Sequence, residues 1–343
     1  MEPKLEPPSS KPPLGKRIVV IGYGDEHTPS TRFRFHALRP YLEEAGHRLD
    51  FVYKDDLLSQ ADGSWAALEA ADILINQKCL LPEHWRRSIL ALGKPLFFDF
   101  DDAIWTRPGK PYSALTQWKV NRRLQGWLSD SSGVWAANFY LADYASDHSD
   151  NVHVIPMALD LSEWTPQTNW DTPELAIGWV GSPHNLPLLQ AWEPGLTAFY
   201  REFPGTFRLF CGKHLDWSVP TEHTPFTPNG EKAFLRNLHV GLLPLPDDPY
   251  AKGKSPIKAL QYLASGIPTV ATIIGATADL LNESNAIALS TLEDLTKALT
   301  RLHQDRSLCQ QLGEHAALQA TTFSLDNSAN TLLRLLEKHS SSS

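Results

Sequence analysis

Two lysines in the segment AKGKSPIKALQYLASGIPTVA, residues 251–271, flank the expected start of a helix. Ser255 is a favourable N-cap residue and Pro256 suits the first helical position, so Lys254 precedes the cap and Lys258 falls in the first turn. Cations at a helix N-terminus oppose the helix dipole by about 0.3–1 kcal/mol each. An anion between them would remove that cost, so we predict a phosphate site here; two solvated lysines are the alternative.

A cluster of three aspartates, Asp99, Asp101 and Asp102, follows the apolar residues 96–98. If residues 96–100 form a strand, its carboxyl end presents Asp99 and Asp101 on one side and Asp102 on the other. Carboxylates close together raise one another's pKa, which suits a general base or an orienting group for an acceptor hydroxyl. A metal-binding Asp-x-Asp pair and helix capping are the alternatives.

Glycine-containing turns follow two expected strands. Gly22-Tyr23-Gly24 carries two glycines of a dinucleotide fingerprint, but His27 stands where the third would be, so a dinucleotide site is weakly supported. In the second half, the turn at Gly181 and Ser182 offers backbone amides to a diphosphate, and the turn at Gly275 offers them to a donor sugar. Taken singly, each of these turns is better interpreted as a tight turn between strand and helix.

The elements that must position these residues alternate between short β-branched runs and amphipathic stretches. Strands are expected at residues 17–21, 48–52, 73–76, 96–100, 133–137 and 152–155, and helices at 31–46, 82–92, 111–128 and 140–146. A second series has strands at 175–179, 207–210, 240–243, 269–272 and 286–289 and helices at 187–202, 231–237, 256–265, 278–282, 292–303, 307–320 and 324–339. The order predicts an α/β protein with two parallel sheets and a ligand cleft between them.

The length of 343 residues supports two domains without disulfides or structural metal. We expect a disordered tail at residues 1–15, a Rossmann-like acceptor domain at 16–165, a Rossmann-like donor domain at 166–323, and a C-terminal helix with a disordered tail at 324–343. The net charge of −8 disfavours nucleic acid as a partner. Three cysteines without paired spacing, and no apolar leader or spanning run, favour a cytoplasmic location.

Five landmarks together resemble the family-4-like glycosyltransferases of GT-B fold. They are the stretch 253–266 with its Lys-x-x-x-Lys and Leu-Gln-Tyr-Leu-Ala run, STRFR at 30–34, FDFDDAI at 98–104, IGWVGSP at 177–183 and PLPDD at 244–248. They cover nearly the whole ordered chain, residues 17 to about 335. The resemblance implies two Rossmann-like domains facing each other across a cleft.

The resemblance also implies a reaction: retaining transfer of a sugar from a nucleotide diphosphate sugar to a glycan, lipid-linked or other acceptor, as in polysaccharide biosynthesis. Lysines and backbone amides would hold the diphosphate without a metal or another cofactor. Of the three interpretations of the aspartates, the resemblance therefore favours a metal-binding site least. Donor contacts would come from Gly181, Ser182, Lys254, Ser255, Lys258, Gln261 and Gly275. Acceptor contacts would come from Gly24, Arg32 and Arg34, with Asp99, Asp101 and Asp102 as candidate catalytic residues.

One departure from the family pattern concerns two motif glutamates, whose places are taken by Gly253 and Gln261. Gln261 can still exchange hydrogen bonds with ribose hydroxyls, but Gly253 cannot replace a carboxylate. Either other groups complete the chemistry or the chain is an inactive nucleotide-sugar-binding pseudo-enzyme. A nucleotide-sugar epimerase of the same fold is the enzymatic alternative, and a dinucleotide oxidoreductase is a distant third.

A peripheral membrane contact is a further hypothesis. Val120, Leu124, Trp127 and Leu128 share one face of the expected helix at residues 111–128, and basic residues flank that face as in an interfacial helix. A core-packed helix with a basic outer face is the favoured alternative.

Overall fold

Two parallel sheets of six strands each, with helices on their faces, organise the chain. The computed structural model describes residues 15–109, 111–227 and 230–340. The tails expected at the two ends fall almost wholly outside the described residues. The architecture is the α/β arrangement of two parallel sheets expected from the sequence.

The N-terminal sheet has the strand order β2-β1-β3-β4-β5-β6. Its strands are β1 (Arg17–Gly22), β2 (Arg48–Tyr53), β3 (Ile73–Gln77), β4 (Leu96–Phe100), β5 (Gly133–Ala136) and β6 (Val152–Val154). Strands β3, β4 and β5 are buried along their whole length, because helices cover both faces of a parallel sheet. All six strands expected from the sequence are present, within one or two residues at their ends.

The C-terminal sheet has the order β12-β11-β10-β7-β8-β9. Its strands are β7 (Ile177–Gly181), β8 (Phe207–Cys211), β9 (Thr221–Pro225), β10 (Val240–Leu243), β11 (Thr269–Ala271) and β12 (Ala286–Ala288). Strand β9 was not expected, because its sequence TEHTP is polar and lies at the sheet edge. From β7 the chain adds β8 and β9 on one side, and it then returns to add β10, β11 and β12 on the other side of β7. The sheet therefore has a switch point between β7 and β10, and the carboxyl ends of the strands beside such a point form a ligand crevice.

Helices connect the strands on both faces of the sheets. They are α1 (Pro29–Thr31), α2 (Ala37–Glu44), α3 (Lys54–Leu58), α4 (Ser64–Glu69), α5 (Glu83–Leu90), α6 (Ala114–Asp130), α7 (Phe139–Ser146), α8 (Leu186–Gln190), α9 (Glu193–Glu202), α10 (Gly230–Leu235), α11 (Pro249–Gly253), α12 (Ile257–Ala264), α13 (Leu292–Gln304), α14 (Arg306–Ala320) and α15 (Leu325–Ser340). A π-helical turn, Arg32–His36, joins α1 to α2, and a 3-10 turn, Gly275–Asp279, precedes β12.

Three expected helices differ from the structure. The helix expected at residues 187–202 is divided into α8 and α9, because Pro194 in the first turn of α9 has no N–H to continue the preceding helix. The helix expected at 278–282 is replaced by the 3-10 turn that ends at Asp279. The helix expected from residue 31 contains the π-turn, which turns Arg32 outward and buries Arg34.

The last helix, α15, returns to the N-terminal domain. Its buried residues, among them Ala329, Leu332 and Leu336, belong to the same apolar core as Phe35 and Leu38 of the first helical segments. A fully buried leucine contributes about 1.5–3 kcal/mol, so this helix ties the end of the chain to the first domain.

Helix α6 shows where the expected interfacial face lies. Leu124, Trp127 and Leu128 are fully buried in the N-terminal core, so the hypothesis that this face meets a membrane is wrong and the core-packed alternative is correct. Only the first turns of the helix carry large exposed apolar side chains, Leu115 and Trp118. Among the described residues, no helix combines the length and the apolar character that a membrane crossing requires.

Candidate functional site

The two lysines of the predicted phosphate site lie at the carboxyl edge of the C-terminal sheet. The Lys258 ammonium stands 4.4 Å from the centroid of the Trp179 ring, and Lys254 stands 5.6 Å from that of Tyr250. Within the described part of the chain, no ion pair holds either ammonium. Two half-buried cations without an ion-pair partner among the described residues make this edge a candidate anion site.

The environment of Lys258 weakens its proton affinity. Burial, and then the charge of Lys254, lower the pKa of Lys258 to about 7, against a smaller opposing effect of Glu231. A bound anion would counter both causes, because it supplies the missing opposite charge. Partial burial, and then the charges of the same two lysines, lower the pKa of His184 on the neighbouring turn.

Gly181 makes room for the Lys258 side chain at the end of β7. A Cβ added at Gly181 would lie 2.1 Å from the Trp179 ring and 2.5 Å from Lys258 Nζ, so no larger residue fits. Ser182 follows as the first residue of the turn into α8. Gly275 begins the 3-10 turn whose Thr277 lines the same pocket as the two lysines; its φ is +48°, and an added Cβ would collide with the backbone of Lys252 in α11, 2.2 Å away.

Ser255 does not cap helix α12, contrary to the expectation. The helix begins at Ile257 with Pro256 at its N-cap, and the Ser255 hydroxyl donates instead to the Asp101 carbonyl oxygen, 2.7 Å away in the other domain. The Ser255 backbone N–H donates to the same oxygen over 3.1 Å. The lysine loop and the acidic loop are therefore joined directly across the domain boundary.

Gly253 belongs to the same contact between domains. It ends the short helix α11, and a Cβ added there would lie 2.6 Å from Ala103 Cβ. The Asn138 side-chain amide donates to the Gly253 carbonyl oxygen over 3.3 Å. In this arrangement of the domains a glutamate would not fit at residue 253, which gives the departure from the family pattern a steric reason.

Asp99 and Arg34 bond to each other inside the N-terminal domain. The Arg34 Nε donates to Asp99 Oδ2 over 2.9 Å, its Nη2 donates to Oδ1, and its Nη1 donates to the Ile155 carbonyl oxygen over 2.7 Å. Arg34 is 4% exposed and Asp99 is fully buried. Neither side chain is open to a ligand in this structure, and their geometry favours a structural role over acceptor binding or catalysis.

Asp101 and Asp102 share one cation, Lys78, which the sequence analysis did not single out. Its ammonium lies 2.7 Å from Asp101 Oδ1 and 2.6 Å from Asp102 Oδ2, and it also donates to the Ser30 hydroxyl. The Lys78 backbone has a φ of 46°, in the region that favours glycine, so these contacts hold a strained residue. The charges of both aspartates raise the pKa of Lys78 against burial.

Of the three aspartates Asp102 is the most exposed, with 23% of its side chain exposed against 3% for Asp101 and none for Asp99. Burial and the neighbouring Asp101 charge raise the pKa of Asp102, while Lys78 opposes them. A carboxyl with a raised pKa at a cleft edge can accept a proton from, or orient, a hydroxyl group. Gly24 lies in the loop between β1 and α1 of the same domain. Its carbonyl oxygen accepts a hydrogen bond from the Thr31 hydroxyl over 3.1 Å.

Of the three cavities lined by α12 and its N-cap residue, two involve the candidate donor residues. The larger, of about 520 Å³, lies between the domains, and Arg32, Glu231 and Gln261 are among its lining residues. The smaller, of about 120 Å³, is lined by the two lysines together with Trp179. Lys258 lines the narrow, mostly apolar pocket, and Gln261, three residues further on, lines the larger cleft. Across residues 15–109, 111–227 and 230–340, no group of three or more His, Cys, Asp or Glu residues could hold a metal ion.

Sequence reasoning missed Lys78, Trp179 and Glu231. Lys78 directly follows a buried strand and precedes a cysteine, so its position at a strand end could be predicted from the sequence. Its backbone conformation could not. Trp179 read as a core strand residue, which it also is, being 2% exposed. Glu231 lies thirty residues before its partner Gln261, and no sequence spacing relates them.

Comparison with known proteins supports the fold. No family model matches the sequence, and no curated protein matches it. Among solved structures, the sucrose-phosphate synthase of Thermosynechococcus elongatus is similar, with a TM-score of 0.71 and 13% identity over 96% of this chain and 100% of that one. Anabaena HepE in complex with UDP and glucose has a TM-score of 0.65 and 12% identity over 94% and 100%. A glycosyltransferase from Rickettsia africae has a TM-score of 0.67 and 11% identity over 94% and 98%.

These structures are GT-B glycosyltransferases, so the likeness establishes the GT-B fold of this chain over nearly its whole length. Fold does not determine activity, which has to be argued from the site.

Proposed function

We propose that this chain is a glycosyltransferase that moves a sugar from a nucleotide diphosphate sugar to a glycan, lipid-linked or other acceptor. The observation that carries the proposal is the pair of half-buried lysines, without an ion-pair partner among the described residues, at the switch point of the C-terminal sheet. A diphosphate supplies the missing negative charge at that place. The UDP bound in the solved structure of HepE supports the same ligand class.

In the proposed reaction the lysines stabilise the charge that develops on the departing diphosphate. Lys258 and Lys254 act as electrostatic groups, and the backbone amides of Gly181 and Ser182, in the turn after β7, assist them. The direct contact between Ser255 and Asp101 keeps the two domains together, which limits access of water to the donor. The proposal includes retention of anomeric configuration, independence from metal and other cofactors, and membership of the family-4-like group.

The domain roles follow from the same proposal. Residues 166–323 bind the donor, and residues 16–165 bind the acceptor through Gly24, Arg32 and Asp102. Arg32 is exposed and lines the 520 Å³ cleft, so it is open to a ligand in a way that Arg34 is not. Polysaccharide biosynthesis in the cytoplasm is the setting that fits such a reaction.

The test is release of free nucleoside diphosphate from nucleotide sugars, with and without candidate acceptors. A thermal-shift screen of nucleotides and nucleotide sugars comes first, because a ligand at 100 times its Kd stabilises a protein by about 2.7 kcal/mol. Acceptor-dependent release of the diphosphate is the expected result. The absence of any stabilising nucleotide or nucleotide sugar would contradict the proposal.

A pseudo-enzyme is the second candidate, and Gly253 is the observation that favours it. The contact of Gly253 with Ala103 leaves no place for a carboxylate at residue 253. Tight binding of a donor without turnover by any acceptor would support this candidate. An epimerase of the same fold would instead convert the nucleotide sugar without an acceptor.

Asp102→Asn is expected to slow sugar transfer about tenfold, as for the loss of one charged hydrogen bond of about 1.5 kcal/mol to the acceptor. Donor affinity is expected to stay within about twofold, because Asp102 belongs to the acceptor side. Steady-state kinetics and donor titration measure the two effects. Asp150→Asn, at an exposed aspartate, is the control. A tenfold loss of donor affinity in the Asp102 variant would contradict the assignment.

A peripheral contact with the inner face of the membrane remains part of the proposal, now through the start of α6. Leu115 and Trp118 are 64% and 56% exposed, and Arg122 packs over the Trp118 ring at 5.4 Å. We expect vesicles containing anionic lipid to sediment the protein at low salt, and replacement of both apolar residues by serine to abolish this. Vesicles that leave the parent protein in the supernatant would disprove the contact.

A further inference from the structure

A groove on the N-terminal domain is lined by two tryptophans, Trp65 and Trp85, together with polar side chains. It is formed by the end of α3, the loop to α4 at residues 59–63, and parts of α4 and α5. Its volume is about 500 Å³, and small-molecule sites occupy about 300–1,000 Å³. None of its lining residues lines the cleft or the pocket of the candidate site, so this tryptophan groove is a separate feature of the molecule.

The two indole rings form the apolar part of the groove. Their centroids lie 6.0 Å apart, and their planes are inclined at 51°. Trp65 Nε1–H donates to Glu69 Oε1 over 2.9 Å, and that bond fixes the orientation of the first ring. Both tryptophans are half-buried, so a part of each ring surface is open to a ligand.

Three exposed polar side chains, those of Gln60, Asp62 and His84, line the same groove. Along the described part of the chain, neither a hydrogen bond nor an ion pair occupies any of the three. An ionised aspartate only accepts hydrogen bonds, whereas a glutamine amide and a neutral imidazole both donate and accept them. Asp62 is the only fully charged side chain among the lining residues at neutral pH, so the groove favours an uncharged ligand rich in hydroxyl groups.

The backbone at Gln60 has a conformation that glycine usually adopts. Its φ is 58°, at the position after α3 where a left-handed residue ends the helix. The Gln60 N–H donates to the Leu57 carbonyl oxygen over 3.1 Å. The Ala61 N–H donates to the Asp56 carbonyl oxygen over 2.9 Å. A glutamine at this position is strained relative to glycine, and binding of a ligand by its side chain would account for that cost.

A sugar ring matches this lining better than a peptide does. The faces of a pyranose carry C–H groups that pack against an indole ring, and its edges carry hydroxyls that donate and accept hydrogen bonds. Aromatic grooves also bind proline-rich peptides. Proline has no backbone N–H, so such a peptide leaves the Asp62 carboxylate without a donor.

The groove lies within reach of the acidic loop of the candidate site. Lys78, which bonds to Asp101 and Asp102, is six residues before His84 in the sequence. Six residues of extended chain span at most about 22 Å, so no greater distance separates the Cα atoms of Lys78 and His84. An oligosaccharide of a few sugar units bridges such a distance.

We propose that the tryptophan groove is a second glycan-binding site, which takes neutral oligosaccharides away from the reaction cleft. Sugar rings pack on Trp65 and Trp85, and their hydroxyls bond to Gln60, Asp62 and His84. Binding of a glycan here goes beyond the proposed function and does not depend on it. That the bound chain is the acceptor rests on the proposed function, because the acceptor position beside the groove follows from it.

The test is isothermal titration of the full chain with neutral hexasaccharides of glucose, mannose, galactose, xylose and N-acetylglucosamine. We expect at least one of them to bind with a Kd of about 1 mM or below. For the tightest ligand, Trp85→Ala should weaken binding by about tenfold or more, because an indole surface is lost. Gln60→Gly should weaken binding severalfold while the thermal stability stays equal or rises, since glycine suits the positive φ.

Two comparisons separate loss of the groove from general damage. Trp118→Ala changes an exposed tryptophan of the same domain outside the groove, and it should bind the glycan as the parent does. The affinity for nucleoside diphosphates should stay the same in all three variants. If Trp85→Ala does not fold, Gln60→Gly decides, because that change does not lower stability.

Failure of the whole panel to bind overturns the inference, and so does an unchanged glycan affinity in a folded Trp85→Ala or Gln60→Gly protein. A proline-rich decapeptide that binds the groove more tightly than every glycan also overturns it. A parent protein that binds a glycan through the groove but binds no nucleoside diphosphate supports the inference and overturns the proposed function alone.

Discussion

Asp99→Asn is expected to lower the free energy of unfolding by about 3–5 kcal/mol, because it leaves the buried Arg34 without its counter-ion. The substitution keeps the shape of the side chain but removes its charge. The Arg34 guanidinium, 4% exposed, would then keep only the neutral amide and the Ile155 carbonyl as partners. A buried charge without a counter-ion is costly, whereas the intact pair is balanced.

Denaturant unfolding of the parent and variant proteins measures this effect. Asp50→Asn is the matched control, because Asp50 also bonds to two arginines, Arg17 and Arg48, but at the surface, and its loss should cost no more than about 1 kcal/mol. Adding Arg34→Met to Asp99→Asn should recover part of the loss, since it removes the uncompensated charge. Equal losses in the Asp99 and Asp50 variants would contradict a structural role for the buried pair.

The fold could be predicted from the sequence where burial leaves a simple pattern. Strands β4 and β10 have the bounds expected from their apolar residues, because a strand buried on both faces must be a short apolar run between turns. The edge strand β9 has no such run, and backbone pairing with β8 alone defines it. The short helices α3, α4 and α11 were missed for a similar reason, since five or six residues carry no full amphipathic period.

The candidate site divides in the same way. Lys254 and Lys258 could be predicted because their charge conflicts with the local helix dipole, and that conflict is visible in the sequence. Ser255 could not be assigned correctly, because a contact with the other domain outweighs the local capping preference. The roles of the aspartates depend on Arg34 and Lys78, which approach from distant parts of the chain. Contacts of that kind follow from the packing of the strands, and no pattern of sequence spacing predicts them.

The strongest binding prediction concerns Lys258→Ala. Loss of this ammonium is expected to weaken binding of a nucleoside diphosphate by about 1.5–3 kcal/mol, or roughly 10- to 150-fold, as for a hydrogen bond between charged groups. The empty protein should be equally stable or up to about 1 kcal/mol more stable at neutral pH, because the lysine opposes the helix dipole. Lys297→Ala, at an exposed lysine, is the matched control and should change neither quantity.

The pH dependence gives a second measure of the same group. The pKa of Lys258 is lowered to about 7, so above pH 7 the folded protein has lost a proton that the unfolded chain keeps up to about pH 10. The free energy of unfolding therefore rises with pH between about 7 and 10. The destabilisation caused by burying the charged Lys258 is greatest below pH 7. Ligand binding changes in the opposite direction, because the diphosphate needs the protonated lysine.

Binding at pH 8 should therefore take up a proton, and affinity should fall by up to about tenfold per pH unit above 7. Titration calorimetry in buffers of different ionisation enthalpy measures the uptake, which Lys258→Ala should abolish. This readout distinguishes a lysine in contact with phosphate from one that merely shapes the pocket, since only the former changes its protonation when the ligand binds. If Lys258→Ala binds as tightly as the parent and the parent takes up no proton, the phosphate lies elsewhere, and the chief support for a glycosyltransferase is lost.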